Sequence, residues 1–266
     1  MRKHITGFSN PTVKYLRSLR DKKHRKRSGQ FLVEGLRLLE DARSTGRLPT
    51  TLVMAEGRAA HDLLARLEAD VVAAGGEVIA TSPDILSKIT GKDNAQSVVG
   101  VFDEWDTSLS ALDRSAAPIW LVAQALRDPG NLGTMLRTGD AVGAGGLILI
   151  DDCADPFSAE AVRASMGAVF TVPLAQARWK EFLPWLREGS GQLVAASLRD
   201  AVPYRGAAYA APCFILVGNE SQGLPEEYEA ACDLRVTMPM RGRADSLNAA
   251  VAGAVLAYEV LAGLEA

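Results

Sequence analysis

The sequence predicts an α/β protein with two domains, and two observations support this fold class. Short apolar runs alternate along the chain with stretches in which apolar residues recur at helical spacing, as strands alternate with helices. A polar stretch of small residues, 106–117, interrupts the alternation. We therefore predict a first domain at 1–105, a linker at 106–117 and a second domain at 118–266 with a mostly parallel sheet. The predicted strands of the second domain are 119–124, 147–150, 171–174, 192–196, 214–217 and 234–238.

Basic residues are concentrated at the start of the chain. The net charge is −3, yet residues 1–30 hold ten Lys and Arg against one acidic residue, Asp21. Between Thr12 and Lys26 the apolar residues keep a helical spacing, so one helix can pack by one face and present cations to a polyanion such as RNA. A solvated basic tail would have the same composition. The residues predicted to bind RNA are Lys14, Arg17, Arg20, Lys22, Lys23, Arg25, Lys26 and Arg27.

Signals for a membrane or for secretion are not found in the sequence. No apolar run approaches the roughly 20 residues that cross a bilayer, and no apolar segment follows the basic N-terminus as in a secretory signal. The three cysteines, Cys153, Cys213 and Cys232, lie far apart and outside any CxxC pattern. We therefore expect reduced thiols in a cytoplasmic protein.

Two polar loops and one helix start in the second domain suit a binding site. The apolar run 214–217 stops at the glycine-containing stretch 218–223, and the run 234–238 is followed by a polar loop that leads into the last helix. In open α/β sheets ligands bind at the carboxyl ends of strands, and the free N–H groups of helix N-termini suit polar partners. One pocket is therefore predicted at this edge. The buried face predicted for the last helix, 247–261, is Leu247, Val251, Ala254 or Val255, Tyr258 and Leu261.

Three stretches of the second domain resemble family motifs. DPGNLGTMLRT (128–138), LVGNESQGL (216–224) and MPMRG…DSLNAAVA (238–252) are similar, in order and spacing, to motifs 1, 2 and 3 of the SpoU (TrmH-like) family of RNA ribose 2′-O-methyltransferases, within the SPOUT superfamily. The resemblance implies a trefoil-knotted α/β domain and a homodimer formed through it, with the active site near the interface. The first domain resembles the L30e-like RNA-binding module of family members that act on ribosomal RNA.

The resemblance also implies the chemistry, a methyl transfer from S-adenosylmethionine to a ribose 2′-hydroxyl without a metal ion. By the same resemblance, backbone groups at the strand ends bind the cofactor, and a core or turn role is the alternative for Gly218 and Met238. The residues predicted to bind the cofactor are Ser197, Leu198, Gly218, Met238, Met240 and Leu247.

Five residues are predicted to be catalytic from their places in the motifs. Arg137 would hold a phosphate and activate or stabilise the reacting hydroxyl, and Asn131 would orient the ribose or Arg137. Glu220 would fix Arg137 or a loop amide. Ser246 would contact the substrate or Arg137, and Asn248 would hold the catalytic geometry. Helix caps and solvated surface positions are the alternatives for these residues, among them an Arg137 paired with Asp140 on its own helix.

Other functions remain open from the sequence. Ribosomal RNA of the 23S type is the favoured substrate because of the first domain, and transfer RNA is the alternative. A catalytically inactive RNA-binding or ribosome-assembly protein would keep the same fold. A nicotinamide-dependent oxidoreductase is disfavoured because no G-x-G-x-x-G follows the first strand of either domain.

Overall fold

The computed structural model describes residues 2–57, 61–219 and 222–265. The strands are β1 (Arg2–Ile5), β2 (Gln30–Glu34), β3 (Thr51–Ala55), β4 (Glu77–Thr81), β5 (Val98–Asp103), β6 (Ile119–Gln124), β7 (Leu147–Ile150), β8 (Leu174–Ala177), β9 (Gln192–Ala196), β10 (Val202–Pro203), β11 (Cys213–Val217) and β12 (Leu234–Thr237). The α-helices are α1 (Pro11–Ser18), α2 (Lys22–Ser28), α3 (Leu36–Ser44), α4 (Asp62–Ala73), α5 (Pro83–Thr90), α6 (Pro129–Ala141), α7 (Ala159–Ser165), α8 (Ala168–Thr171), α9 (Trp179–Arg187), α10 (Glu226–Ala230) and α11 (Ala249–Glu265). Among the described residues, no helix is both long and apolar enough to cross a membrane.

The chain divides into two compact units. The first comprises the described residues up to Trp105 together with Phe157–Phe170, and the second comprises Asp106–Pro156 and the described residues from Thr171 onward. The sequence pattern assigns 157–170 to the second domain, but the contacts of this segment place it in the first unit. Its aromatic ends explain the difference, because the Phe157 ring lies 4.8 Å from that of Phe31 and the Phe170 ring lies 5.4 Å from that of Phe102.

The first unit is built on a mixed five-stranded sheet in the order β1-β4-β3-β5-β2. β1, β4 and β3 are parallel, and β5 is antiparallel to both of its neighbours. α1 and α5 pack together over one face, where Leu16 and Ile85 join Val53 and Ile79 in a buried cluster. α3 covers the opposite face, since a Cβ built on Gly100 would lie 2.6 Å from Leu39 Cδ2.

The basic segment at the start of the chain differs from its prediction in two ways. Four residues before it form strand β1, which pairs with β4 and buries only Ile5. The helix predicted over 12–26 is two helices, because the Asp21 carboxylate accepts a hydrogen bond of 2.7 Å from Lys23 N and begins α2 anew. Asn10 caps α1 in the same way.

The second unit is a seven-stranded sheet in the order β10-β12-β9-β11-β6-β7-β8, and every neighbouring pair is parallel. Helices cover it as predicted: α6 packs on β6 and β7, α11 packs on α6 and β11, and α9 contributes Phe182 to a core of Trp120 and Phe214. The strand predicted at 171–174 lies at 174–177 instead, because Thr171 still belongs to α8. β10 and α10 are not predicted by the sequence.

The last helix buries a different face from the one predicted. Val251 is 46% exposed and Tyr258 is 56% exposed, although both were assigned to the core. The buried face is formed mainly by small residues, which allow α11 to approach α6 and β11 closely. Both faces of the helix are therefore apolar, and the outer one is left uncovered within the chain.

Candidate active site

A cleft of about 430 Å³ lies at the carboxyl ends of three adjacent strands, β12, β9 and β11. Its walls are the segments that follow these strands and the residues that lead into α11. This volume falls within the range of roughly 300–1,000 Å³ that is usual for small-molecule sites. All six predicted cofactor-binding residues line the cleft: Ser197, Leu198, Gly218, Met238, Met240 and Leu247. The structure thus brings together residues from four separate parts of the chain.

The loop after β11 is folded tightly against itself. Gly223 N donates a hydrogen bond of 2.9 Å to Asn219 O, and the Asn219 side chain accepts one from Gln222 N and donates one to Ala125 O. A Cβ at Gly218 would lie 2.6 Å from the carbonyl carbon of Gly223. Because this neighbour is backbone and not a movable side chain, only glycine fits at position 218.

Two of the predicted catalytic residues join the starts of two helices. Asn248 Nδ2 donates a hydrogen bond of 3.0 Å to Asn131 Oδ1, across 117 positions of sequence. Asn248 Oδ1 accepts hydrogen bonds from Ala250 N and Val251 N at the start of α11. Asn131 lies in the first turn of α6, where its N–H donates to the capping Asp128. Asn248 can therefore both cap α11 and position Asn131, and the sequence leaves both roles possible.

The other predicted catalytic residues have different environments. Ser246 lines the cleft, and its hydroxyl donates to Asp245 at 3.4 Å. Arg137 is exposed on α6 and is not among the residues that line the cleft. The alternative pairing of Arg137 with Asp140 is not seen within the described part of the chain, where Asp140 accepts a hydrogen bond of 2.6 Å from Thr171. Glu220 lies outside the described residues.

A cleft residue that the sequence did not indicate is Glu229. It is buried, lines the cleft and accepts a hydrogen bond of 2.6 Å from the hydroxyl of Ser197. Three other acidic residues lie within a few positions of it, and Glu226 is exposed, with 90% of its side chain accessible. In the sequence Glu229 therefore looks like one of a row of solvated acids. Only the fold, which turns α10 toward β9, distinguishes it.

The residues that line the cleft fit S-adenosylmethionine. Gly218 lines the cleft and lets the loop after β11 fold closely against it, and Val217, Leu224 and Ala252 give an apolar wall suited to an adenine ring. Leu198 is 77% exposed and Leu247 is 37% exposed at the rim. A bound nucleoside would cover apolar surface that the chain alone leaves in contact with water.

The predicted RNA-binding cations lie on α1 and α2 of the first unit. Six of them are exposed and form no ion pair within the described residues: Lys14, Arg17, Lys22, Lys23, Lys26 and Arg27. Arg20 is also exposed, but its guanidinium lies directly over Gly91, at the end of α5. Arg25 differs from the prediction. It is 4% exposed, and its guanidinium donates to the carbonyl oxygens of Leu19 and Arg20, so it fixes the junction of the two helices.

Nucleophilic cysteine chemistry is disfavoured by the state of the thiols. All three cysteines are free. Burial raises the pKa of the Cys153 thiol to about 11 and the pKa values of Cys213 and Cys232 to about 12. Since the thiolate is the reactive form, these groups are protonated and unreactive near neutral pH.

A larger cavity, of about 650 Å³, lies at the other edge of the second unit, before β6 and β11. The Arg114 guanidinium in its wall stacks on the Trp185 ring at 5.0 Å. None of the predicted site residues lines it. The carboxyl-end cleft is the better candidate because polar groups from several strands converge there.

Two family models match the chain, one for each region. The model described as the SpoU rRNA Methylase family matches residues 118–258. The model described as the MRM3-like substrate binding domain matches residues 10–100. Between them they account for most of both predicted domains.

Relatives and solved structures match over nearly the whole length. The 23S rRNA (guanosine(2553)-2′-O)-methyltransferase RlmP of Bacillus subtilis is 30% identical over 259 residues, which cover 97% of this chain and 99% of the relative. The 23S rRNA (uridine(2479)-2′-O)-methyltransferase of Streptomyces viridochromogenes is 30% identical and covers 91% of this chain and 86% of its own. The crystal structure of an AdoMet-bound rRNA methyltransferase from Sinorhizobium meliloti aligns with a TM-score of 0.92 at 39% identity, over 99% of this chain and 98% of that one.

Proposed function

The chain belongs to the SpoU rRNA methylase family, and we propose that it methylates a ribose 2′-hydroxyl of 23S ribosomal RNA. The sequence resemblance to this family and the predicted fold class are confirmed, and the enzyme is an S-adenosylmethionine-dependent RNA 2′-O-methyltransferase. The observation that carries the ribosomal substrate is the full-length match to an enzyme of 23S rRNA, which includes the region of the substrate-binding domain.

The cofactor is proposed to bind in the cleft at the ends of β9, β11 and β12. Gly218, Met238 and Leu247 would hold it mainly through the backbone, as the motifs predict, and Ser197 and Leu198 would flank the same pocket. When bound, S-adenosylmethionine supplies a methyl group on a sulfonium, which is electrophilic enough to need no metal. The apolar walls exclude water from the reacting groups.

The catalytic work of the chain is then to hold a ribose and its phosphate beside the cleft. Arg137 is proposed to bind the phosphate and stabilise the oxygen as it loses its proton, because a guanidinium, which is a very weak acid, serves as a clamp better than as a base. The Asn131–Asn248 hydrogen bond would fix the two helix starts that frame the ribose. Ser246 would contact the substrate. Glu220 is proposed to fix Arg137 or a loop amide.

The first unit is proposed to bind the RNA backbone through the exposed cations of α1 and α2 and to select the shape of the RNA. Their charges are exposed and unpaired within the described chain, so they can bind phosphates without first breaking an ion pair. Contacts of this kind fix position but carry no sequence information. A transfer RNA substrate would use the same cations, and the assay described below separates the two classes of RNA.

A homodimer and a trefoil knot in the second unit are also part of the proposal, as is a cytoplasmic location, where ribosomal RNA is found. The outer face of α11 supports the dimer. A groove of about 420 Å³ between Tyr204 and Tyr258 adjoins the exposed Val251, and together they form an apolar surface that a second copy would cover. The close match to solved SpoU structures supports the knot.

The dimer is tested by sedimentation of Tyr258→Glu. A carboxylate buried in an apolar interface is strongly unfavourable, so the variant is expected to sediment as a monomer and to lose most of its activity. Lys180→Glu places a carboxylate at an exposed position of α9, with a larger change of charge, and is expected to remain a dimer. A wild-type monomer, or a dimeric Tyr258→Glu, would contradict the interface.

The function is tested by transfer of labelled methyl groups from S-adenosylmethionine to unmodified 23S, 16S and transfer RNA, offered separately. Label is expected in 23S RNA only and should disappear when the target ribose is 2′-deoxy. Label in transfer RNA alone would reject the ribosomal substrate. If no RNA is labelled while the cofactor still binds, the substrate is a ribosomal particle and the assay is repeated with large-subunit precursors.

A further inference from the structure

Glu229 presents an unusual carboxylate to the cofactor cleft. Only 6% of the surface of Glu229 is exposed, and its Oε1 accepts a hydrogen bond of 2.6 Å from the hydroxyl of Ser197. Its Oε2 lies 3.6 Å from Nη1 of Arg199, beyond hydrogen-bonding distance. Within the described residues, Oε2 accepts no hydrogen bond. One oxygen of a buried carboxylate that lines a cleft is therefore left without a donor.

Within the described residues, Trp120 Nε1 is the only fully buried side-chain nitrogen or oxygen atom without a hydrogen-bond partner, so Glu229 Oε2 keeps some contact with solvent. A ligand that fills the cleft would displace this water, and the carboxylate is then stabilised only if donors replace the lost water. Arg199 replaces little of it, because 61% of its side chain is exposed and its attraction is screened by solvent. A donor from the bound ligand would complete the set.

We infer that Glu229 binds the ribose of S-adenosylmethionine, with Oε2 accepting a hydrogen bond from a ribose hydroxyl. The inference rests on the proposed location of the cofactor in this cleft. S-adenosylmethionine has three kinds of donor: the adenine amino group, the ribose hydroxyls and the α-ammonium group. The α-ammonium is disfavoured because Arg199 already places a cation beside Oε2.

The lining of the cleft distinguishes the two neutral donors. The neighbours of Glu229 at the end of β9 include the polar Ser197 and Arg199, whereas the apolar Val217, Leu224 and Ala252 come from β11, the loop after it and α11. The flat, apolar faces of adenine fit this apolar wall, which leaves the sugar beside Glu229. A carboxylate that accepts ribose hydroxyls beside a strand end is a recurrent solution for nucleoside recognition in α/β proteins.

Ser197 links this contact to the loop after β9. Its Oγ accepts a hydrogen bond of 3.0 Å from Arg199 N while donating to Glu229 Oε1. Glu229 therefore both orders the backbone of 197–199 and offers its second oxygen to the ligand. An experiment must separate a direct contact from this ordering effect.

The test measures, by calorimetry on the full-length protein, the affinity of each protein variant for each ligand analogue. The ligands are S-adenosylhomocysteine, its 2′-deoxy and 3′-deoxy analogues, and S-inosylhomocysteine, which lacks the adenine amino group. The variants are Glu229→Gln and the matched control Glu226→Gln. Glu226 lies on the same helix, and its Oε2 is 3.8 Å from the same nitrogen of Arg199, but its side chain is exposed.

Wild type and Glu226→Gln are expected to bind at least one deoxy analogue about 10- to 100-fold more weakly than S-adenosylhomocysteine, as for loss of a hydrogen bond to a charged group. Glu229→Gln is expected to bind S-adenosylhomocysteine more weakly by a similar factor and to show little further loss with that analogue. Ser197→Ala keeps the carboxylate and is expected to keep the deoxy penalty. If Glu229→Gln does not fold, wild type still decides, because equal affinity for S-adenosylhomocysteine and both deoxy analogues would contradict the contact.

Three results would overturn the inference. Equal deoxy penalties in wild type and Glu229→Gln would mean that Glu229 only orders the loop. If instead the weaker binding of S-inosylhomocysteine in wild type disappears in Glu229→Gln, the carboxylate binds the adenine base. If wild type binds no S-adenosylhomocysteine, both the proposed cofactor site and this contact are wrong. In the other two cases the cofactor site stands and only the contact is wrong.

Discussion

The exposed cations of α1 and α2 and the cleft of the second unit take part in the same proposed reaction, but they bind their ligands by different kinds of interaction. The cations act by charge, and most of them are exposed and unpaired within the described chain. The cleft depends on close backbone approach, as at Gly218, and on one buried carboxylate, Glu229. A surface of the first kind tolerates the loss of one member, since long-range attraction is shared. A site of the second kind does not, because each atom has a particular neighbour.

The comparison implies that substitutions in the two regions change different observables. Changes to the cations should alter the salt dependence of RNA binding and leave cofactor affinity unchanged. Changes in the cleft should alter cofactor affinity and leave RNA binding unchanged. Arg137 belongs to neither region by position, being exposed on α6 and outside the cleft lining.

The largest effect is expected for Arg137→Ala. Removing one group that stabilises developing charge typically lowers the rate by about 10²–10³-fold, and the proposed role predicts a loss of kcat in this range. Cofactor affinity should stay within several-fold of wild type because Arg137 does not line the cleft. Arg137→Lys keeps the charge without the planar fork and should recover part of the rate. Single-turnover methyl transfer and calorimetry measure the two quantities, and an equal loss in both would make Arg137 a structural residue.

The next effect is expected for Gly218→Ala. The added Cβ would meet the backbone of Gly223 and Leu224 at 2.6–2.8 Å, so the loop must shift. Overpacking of this kind costs about 1–3 kcal/mol, which corresponds to roughly 5- to 150-fold weaker cofactor binding. RNA affinity, measured at the same salt concentration for the variant and the wild type, should not change. Unchanged cofactor affinity would show that this backbone approach is not part of the site.

A smaller and more graded effect is expected from neutralising α2. Lys22→Gln, Lys23→Gln, Lys26→Gln and Arg27→Gln together remove four exposed cations, which should reduce the slope of log K against log salt by up to about 3. Arg37→Gln with Arg66→Gln, on α3 and α4 of the same unit, is the control and should leave the slope nearly unchanged. A slope that responds equally to both sets would mean that α2 has no special part in RNA binding. Deleting the segment is a poorer test, because Leu16 and Leu19 belong to the core.

The sequence predicted the alternating elements, the three motif loops and the location of the basic residues, because these depend on local patterns. The sequence did not distinguish buried from exposed residues where both have the same local pattern. Arg25 reads as one more surface cation, yet its guanidinium ties α1 to α2. Glu229 reads as one more acid of α10, yet it is buried beside Ser197. On α11 nearly every residue is apolar, so periodicity alone did not distinguish the close-packed face from the uncovered one.

The smallest effect, and the sharpest contrast with Gly218, is expected for Gly253→Ala on α11. Here a Cβ would lie 3.5 Å from Met135 Cε and 3.8 Å from Val217 Cγ2, which is ordinary van der Waals contact. Replacing a glycine inside a helix then removes an entropic penalty of about 0.5–1 kcal/mol. Thermal unfolding of the second unit should shift upward by about 1–4 °C with activity retained. A downward shift would show that the approach of α11 to α6 requires the absence of a side chain, as the loop at Gly218 does.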